Sequence, residues 1–232
     1  MNTVVKIVSD LICPWCYVGK RRLETALRQL PARRVVDVSW HPFQLNPDMP
    51  REGMDRKVYC ARKFGSWDRC QEMYAQIAAV GKTVGLRFNF QAQATVPNTF
   101  DTHRVIWLAG KEGVQDAVVE ALFLVYFCNG VDLSSRSELV EVAADAGLER
   151  RRVQELLESS EGTAEVQAEE QEIKLLGVTS VPLFIMDDRV AVSGAQPPEM
   201  LLKALEQARA VRPKRQKALR ESVNRGSEDC RV

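Results

Sequence analysis

Val4-Val5-Lys6-Ile7-Val8-Ser9-Asp10-Leu11-Ile12-Cys13-Pro14-Trp15-Cys16 decides the reading of this chain. The β-branched run Val4 to Val8 predicts a short buried strand, and the segment after it predicts a helix that begins at the cysteine pair. Pro14 suits the first helical position, where a missing N–H costs nothing and the fixed φ is already helical, so Cys13 becomes the N-cap. Leu23, Leu27 and Leu30 keep helical spacing to the end of that element, and Val35-Val36-Asp37-Val38-Ser39-Trp40 repeats the strand character. A strand, a crossover helix and a second strand predict parallel neighbours joined by a right-handed crossover.

A Cys-x-x-Cys beside such a unit points to thioredoxin-like redox chemistry. At the N-cap, the Cys13 sulfur is expected to accept from the free backbone N–H groups of Trp15 and Cys16. Those donors and the positive end of the helix dipole favour thiolate over thiol. Cys13 is then the attacking group, and Cys16, one turn further in on the same side, is the less exposed resolving thiol. A substrate disulfide would pass through a mixed disulfide with Cys13 before Cys16 displaces it, and the reverse sequence would oxidise a dithiol. Half of a zinc site is the competing reading of the motif. Tetrahedral zinc needs two further ligands, and neither Cys60 nor Cys70 has a nearby His in sequence, so no metal is expected.

Strand character returns only after Pro182. Leu183 to Met186 and Val190 to Val192 flank Asp187-Asp188-Arg189, a tight hairpin, and a last helix follows Pro197-Pro198. Between the two strand-bearing parts, seven segments read as helices: 56–63, 67–84, 98–111, 114–128, 137–146, 150–159 and 163–176. Neither set of strands makes a stable sheet alone, so the ends must meet. The fold class is therefore α/β, a platform split by a large all-α helical insertion. Residues 1–46 and 178–210 form the platform, 47–177 the insertion, and 211–232 a basic C-terminal tail.

Composition narrows the function classes. The chain has 232 residues, 45% of them hydrophobic, with 32 basic against 31 acidic side chains and a net charge of +1. No whole-molecule field favours nucleic acid, and no apolar stretch reaches membrane-spanning length. No leader is seen at the start, and a cytoplasmic protein is expected. Six cysteines are present, yet a chain this long and apolar does not need a disulfide framework. Cys60, Cys70, Cys128 and Cys230 are expected to be reduced, inert thiols. A bridge between Cys60 and Cys70, ten residues apart, is the alternative. His103 lies on the apolar face of its helix with Phe100, Ile106 and Trp107. It reads as a core histidine bonded to backbone, or else as a group lining the pocket over Cys13.

Taken together, several stretches resemble the FrnE-like branch of the DsbA family. They are Ser9-Asp10, Cys13 to Lys20, His41-Pro42-Phe43-Gln44-Leu45-Asn46-Pro47, Asn98-Thr99, His103-Arg104, Gly177-Val178, Val181-Pro182-Leu183-Phe184 and Ser193-Gly194-Ala195-Gln196. The resemblance runs from about Val4 to about Ala208. It implies a thioredoxin-like fold interrupted by a helical domain. It further implies that Val181-Pro182 is a cis-proline loop packed against both cysteines, with the Val181 backbone pairing with an extended substrate strand. Related kappa-class glutathione transferases and 2-hydroxychromene-2-carboxylate isomerases carry serine where this chain has Cys13, which weighs against isomerase chemistry here. The expected activity is that of a protein disulfide oxidoreductase acting on a thiol- or disulfide-containing protein or small molecule. It needs no cofactor, and glutathione is admitted as a redox partner. Neither nucleic acid nor membrane is expected as a partner, and monomer and dimer stay open. Two alternatives are a glutathione-dependent isomerase or transferase for a small aromatic or polyketide-like substrate, and a redox-switched chaperone or binding module.

Overall fold

In the computed structural model of the chain, residues 2–31 and 34–210 are described. The basic tail read at 211–232, with Cys230, lies outside them. The chain opens with β1 (Thr3–Ser9), α1 (Pro14–Arg28) and β2 (Val36–Pro42). The two strands are parallel, from Thr3 opposite Val36 to Ser9 opposite Pro42. The helical stretch carries β3 (Met54–Asp55), α2 (Arg56–Phe64), α3 (Trp67–Thr83), β4 (Thr95–Val96), α4 (Phe100–Lys111) and α5 (Gln115–Leu124). A π turn at Val125–Asn129 precedes α6 (Arg136–Asp145), α7 (Arg150–Glu158) and α8 (Thr163–Leu175). The chain returns as β5 (Leu183–Met186), β6 (Val190–Ser193) and α9 (Pro198–Ala210).

Both ends of the chain build one sheet, in the order β2-β1-β5-β6. β5 lies antiparallel to β1, with Val5 opposite Met186 and Val8 opposite Leu183. β1 is thus an inner strand, and Val5, Ile7 and Val8 are all buried. Continuous apolar sequence is what such a position requires. The β5–β6 turn uses two residues with positive φ, Asp187 at 51° and Asp188 at 54°, a backbone that short polar side chains tolerate. The Asp187 carboxylate accepts from the Val4 N–H at 3.0 Å, and Asp188 pairs with Lys6 at 2.7 Å, so the turn is tied to β1.

The exposed edge of β2 is covered from the helical side. The Gln115 side-chain amide accepts from the Trp40 N–H at 2.9 Å and donates to the Trp40 carbonyl at 3.1 Å, completing backbone bonds that an open edge leaves unmade. Asp116 takes the Trp40 indole N–H at 3.0 Å.

Three features differ from the sequence expectation. The insertion is not wholly α, because β3 and β4 form a two-residue antiparallel ladder. The helix expected over 114–128 is α only to Leu124, and its last turn is π. Gly130 follows that turn at a φ of 75°, so close to the backbone that a Cβ there would meet Ala92 Cβ at 2.5 Å. The Phe127 carbonyl accepts from Asn89 N–H at 2.8 Å, and the Tyr126 carbonyl accepts from the Gln93 amide at 2.5 Å. These outside donors take carbonyls that a regular last turn would leave free. Finally, Cys60 and Cys70 are not reduced thiols but a disulfide, with Cα atoms 5.9 Å apart. The two-residue gap between α2 and α3 brings the two buried sulfurs together, which neither helix alone reveals.

No helix among the described residues is long and apolar enough to cross a membrane.

Candidate active site

The helix start is built as Pro14 requires. Cys13 is the N-cap of α1 with an extended backbone, φ −90° and ψ 106°, and Pro14 opens the helix. Cys13 N–H donates to the Asp10 carbonyl at 3.1 Å, and Cys16 N–H to the Cys13 carbonyl at 3.0 Å. The expected side-chain cap is not made: the Cys13 sulfur accepts from neither Trp15 nor Cys16. It faces the Val181 carbonyl instead, at 3.6 Å. A protonated thiol is a donor and turns toward a carbonyl, whereas the helix amides suit the sulfur only after the proton has left.

That carbonyl comes from the far end of the chain. The Val181–Pro182 peptide is cis, and the loop enters β5 beside α1. Gly19 sets the spacing, since a Cβ there would lie 2.9 Å from Phe184 Cζ and 3.2 Å from Pro182 Cγ. The Pro182 carbonyl accepts from Gly194 N–H at 2.8 Å. The Val181 N–H, by contrast, has no partner among the described residues.

The two thiols are unequal. Both are free, but Cys16 is fully buried and Cys13 retains 5% of its surface. That residue of exposure opens onto a cavity of about 290 Å³, which Cys13, Pro14 and Trp15 help to line and Cys16 does not. Burial holds the Cys16 thiol well above the ordinary range, and its hydrogen bond with Cys13 and the neighbouring Asp10 carboxyl push the same way, because each disfavours a second negative charge in a desolvated place.

Asp10 is wholly buried. One carboxyl oxygen accepts from Leu45 N–H at 2.7 Å. The other has no hydrogen-bond partner and lies 3.6 Å from His103 Nε2, also without one. His103 is therefore neither bonded to backbone through Nε2 nor among the residues lining the cavity; it sits buried against Asp10. Arg104, its neighbour, is structural. Its guanidinium donates to the carbonyls of Leu156 at 2.6 Å, Ser159 at 2.7 Å and Glu161 at 2.9 Å, closing the C-terminal end of α7.

The remaining cavity wall escaped the sequence reading. It comes from α2, α3, the loop after α3 and the π turn, and includes Arg56, Tyr59, Tyr74, Phe90, Tyr126 and Phe127. Their spacing in sequence matches ordinary core residues, so only the packing of these elements distinguishes them. Cys128 is a third free thiol, half-buried, and burial raises its pKa. Among the described residues no group of three His, Cys, Asp or Glu side chains is placed to hold a metal ion.

Comparison with known proteins agrees with this architecture. The family described as DSBA-like thioredoxin domain matches residues 4–206. The crystal structure of a probable DsbA oxidoreductase from Streptomyces coelicolor is 34% identical, superposes with a TM-score of 0.85, and shares 91% of this chain and 92% of its own. A putative protein disulfide isomerase from Nitrosomonas europaea has the same fold at 18% identity, with a TM-score of 0.70 over 92% of this chain and all of its own. An uncharacterized protein of Bacillus subtilis, YwbO, is 25% identical over 206 residues, 88% of this chain and 96% of that one.

Proposed function

Because the chain belongs to the DSBA-like thioredoxin domain family, we propose that it is a dithiol–disulfide oxidoreductase in which Cys13 attacks and Cys16 resolves. One observation carries the assignment of roles: Cys13 opens onto the cavity, whereas Cys16 is sealed behind it.

In the reductive direction the Cys13 thiolate attacks one sulfur of the substrate disulfide. The substrate S–S bond breaks, a Cys13–substrate bond forms, and the first substrate thiolate leaves and takes up a proton. Cys16 then loses its proton and attacks Cys13 Sγ. The mixed disulfide breaks, the second substrate thiol departs, and Cys13–Cys16 is left oxidised. The chain supports each step. Cys13 stands at the N-cap of α1, at the positive end of the helix. Asp10, whose buried carboxyl helps to raise the Cys16 pKa, would take that proton, with His103 Nε2 3.6 Å from its unbonded oxygen. The unpartnered Val181 N–H offers a backbone donor to an extended substrate segment.

Run in reverse, the same atoms oxidise a dithiol. A cytoplasmic setting and glutathione as electron partner belong to this proposal. An insulin-reduction assay tests it: turnover should drop to the uncatalysed background in Cys13→Ser, and unchanged turnover in that variant would refute the assignment.

A further inference from the structure

Arg56 is a buried cation with no carboxylate partner. It is 4% exposed, and among the described residues no Asp or Glu pairs with it. Two of its N–H groups donate to phenol oxygens, those of Tyr74 and Tyr126, each at 2.9 Å. Its Nε–H is buried and unsatisfied. A guanidinium carries five donors and never gives up its proton, and a buried, uncompensated charge costs several kcal/mol. The tyrosines do not supply the missing negative charge, because burial pushes both phenols above their usual range and keeps them neutral.

The place of this cation gives it meaning. Arg56 lines the same cavity as Cys13, and no acidic residue is among the lining residues. The rest of the wall is flat and apolar. Tyr74 and Phe90 stack with centroids 4.4 Å apart, and Tyr126 meets Phe127 edge-on at 4.9 Å. Lys63, exposed at the rim, adds a second positive charge. At about 290 Å³ the space is near the lower end of small-ligand pockets. It suits a compact aromatic body.

We infer that this cavity binds a small aromatic carboxylate, with its rings against the tyrosine and phenylalanine side chains of the wall and its carboxylate on Arg56. The inference rests on the reading that the cavity is the route to Cys13, and it names a substrate class for that route: aryl or similarly flat apolar thiols and disulfides that carry one carboxylate. The guanidinium fork matches a carboxylate in shape as well as charge, and a ligand carboxylate would supply the counter-ion the fold omits.

Calorimetric titration of Cys13→Ser, in which thiol exchange is disabled, separates binding from redox chemistry. The probes are 2-naphthoate and its neutral isostere 2-naphthamide. Naphthoate is expected to bind at least tenfold more tightly, and Arg56→Gln should abolish that preference while leaving naphthamide binding unchanged. Where Arg56→Gln does not fold, Tyr126→Phe carries the test, since loss of one guanidinium tether should weaken naphthoate selectively. Equal affinity for the two probes, or a preference that survives in the folded Arg56 variant, overturns the inference. So does displacement of a cavity-bound dye by glutathione and not by naphthoate. Insulin reduction by the wild-type protein is measured alongside. Turnover without naphthoate binding sinks the ligand class alone, whereas naphthoate binding without turnover sinks the redox reading alone.

Discussion

At the residue scale, burial keeps the proton on Cys16, so alkaline pH should destabilise the reduced protein in a way that depends on that one thiol. Its folded pKa lies well above the ordinary value. Below about pH 8.5 the thiol is protonated in both folded and unfolded chains, and its contribution is complete. Above that pH the unfolded chain ionises first and binds fewer protons than the native one, so stability falls as pH rises, by at most about 1.4 kcal/mol per pH unit for one group. Urea midpoints between pH 8 and 10 should fall more steeply for the reduced wild type than for Cys16→Ala; equal slopes would show that the thiol is not held protonated by the fold. Tyr17 and Tyr126, both raised chiefly by burial, extend the decline above about pH 10. The cysteine pair was legible in sequence because its chemistry is local: four consecutive residues, one of them a proline that fixes the helix start. Asp10 stood only three residues before Cys13, yet its meeting with His103 depends on α4 lying under the sheet. Arg56 was illegible, since an arginine's lack of a partner is a property of everything around it.

Elements place these residues, and the contact between α1 and β5 is the tightest that the site depends on. Gly19→Ala would gain about 1 kcal/mol in helix propensity but would drive a methyl into Phe184 and Pro182, where overpacking costs typically about 1–3 kcal/mol. We expect net loss of stability in urea and slower insulin reduction, because α1 and the Val181-Pro182 loop move apart. A variant as stable and active as wild type would show that the contact relaxes freely. Arg104 makes a parallel case in the helical region. Arg104→Met removes the donor to the carbonyls of Leu156, Ser159 and Glu161; Leu156 keeps the Ser159 N–H and hydroxyl, so the cost is that of lost hydrogen bonds to a charged group, about 1.5–3 kcal/mol each at most. The midpoint of urea unfolding should fall markedly while the reactivity of Cys13 in the remaining folded protein stays unchanged. The strands and most helix centres could be read from apolar periodicity. The π turn could not, because its cause is a set of outside donors, Asn89 and Gln93, about 35 residues away in sequence.

At the scale of the whole molecule, one sheet joins residues from both chain ends, and the helical stretch between them supplies the wall that closes over Cys13. That split was legible from where strand character stops and returns, together with the instability of either strand pair alone. The closing wall was not, and the Cys60–Cys70 bridge was legible only as the alternative to free thiols. It staples α2 to α3, which carry Arg56, Tyr59 and Tyr74. Cys60→Ala should lower stability by about 2–3 kcal/mol, as expected for a short disulfide loop, with the difference vanishing in excess dithiothreitol. A persistent difference would mean that lost packing, not the crosslink, carries the effect. The division of labour between Cys13 and Cys16 is tested most directly by trapping. Reduced Cys16→Ser is mixed with a disulfide substrate, quenched in acid, and mapped by peptide mass spectrometry. A stable mixed disulfide confined to Cys13 is the expected result; an adduct on Cys128, or none on Cys13, would contradict it.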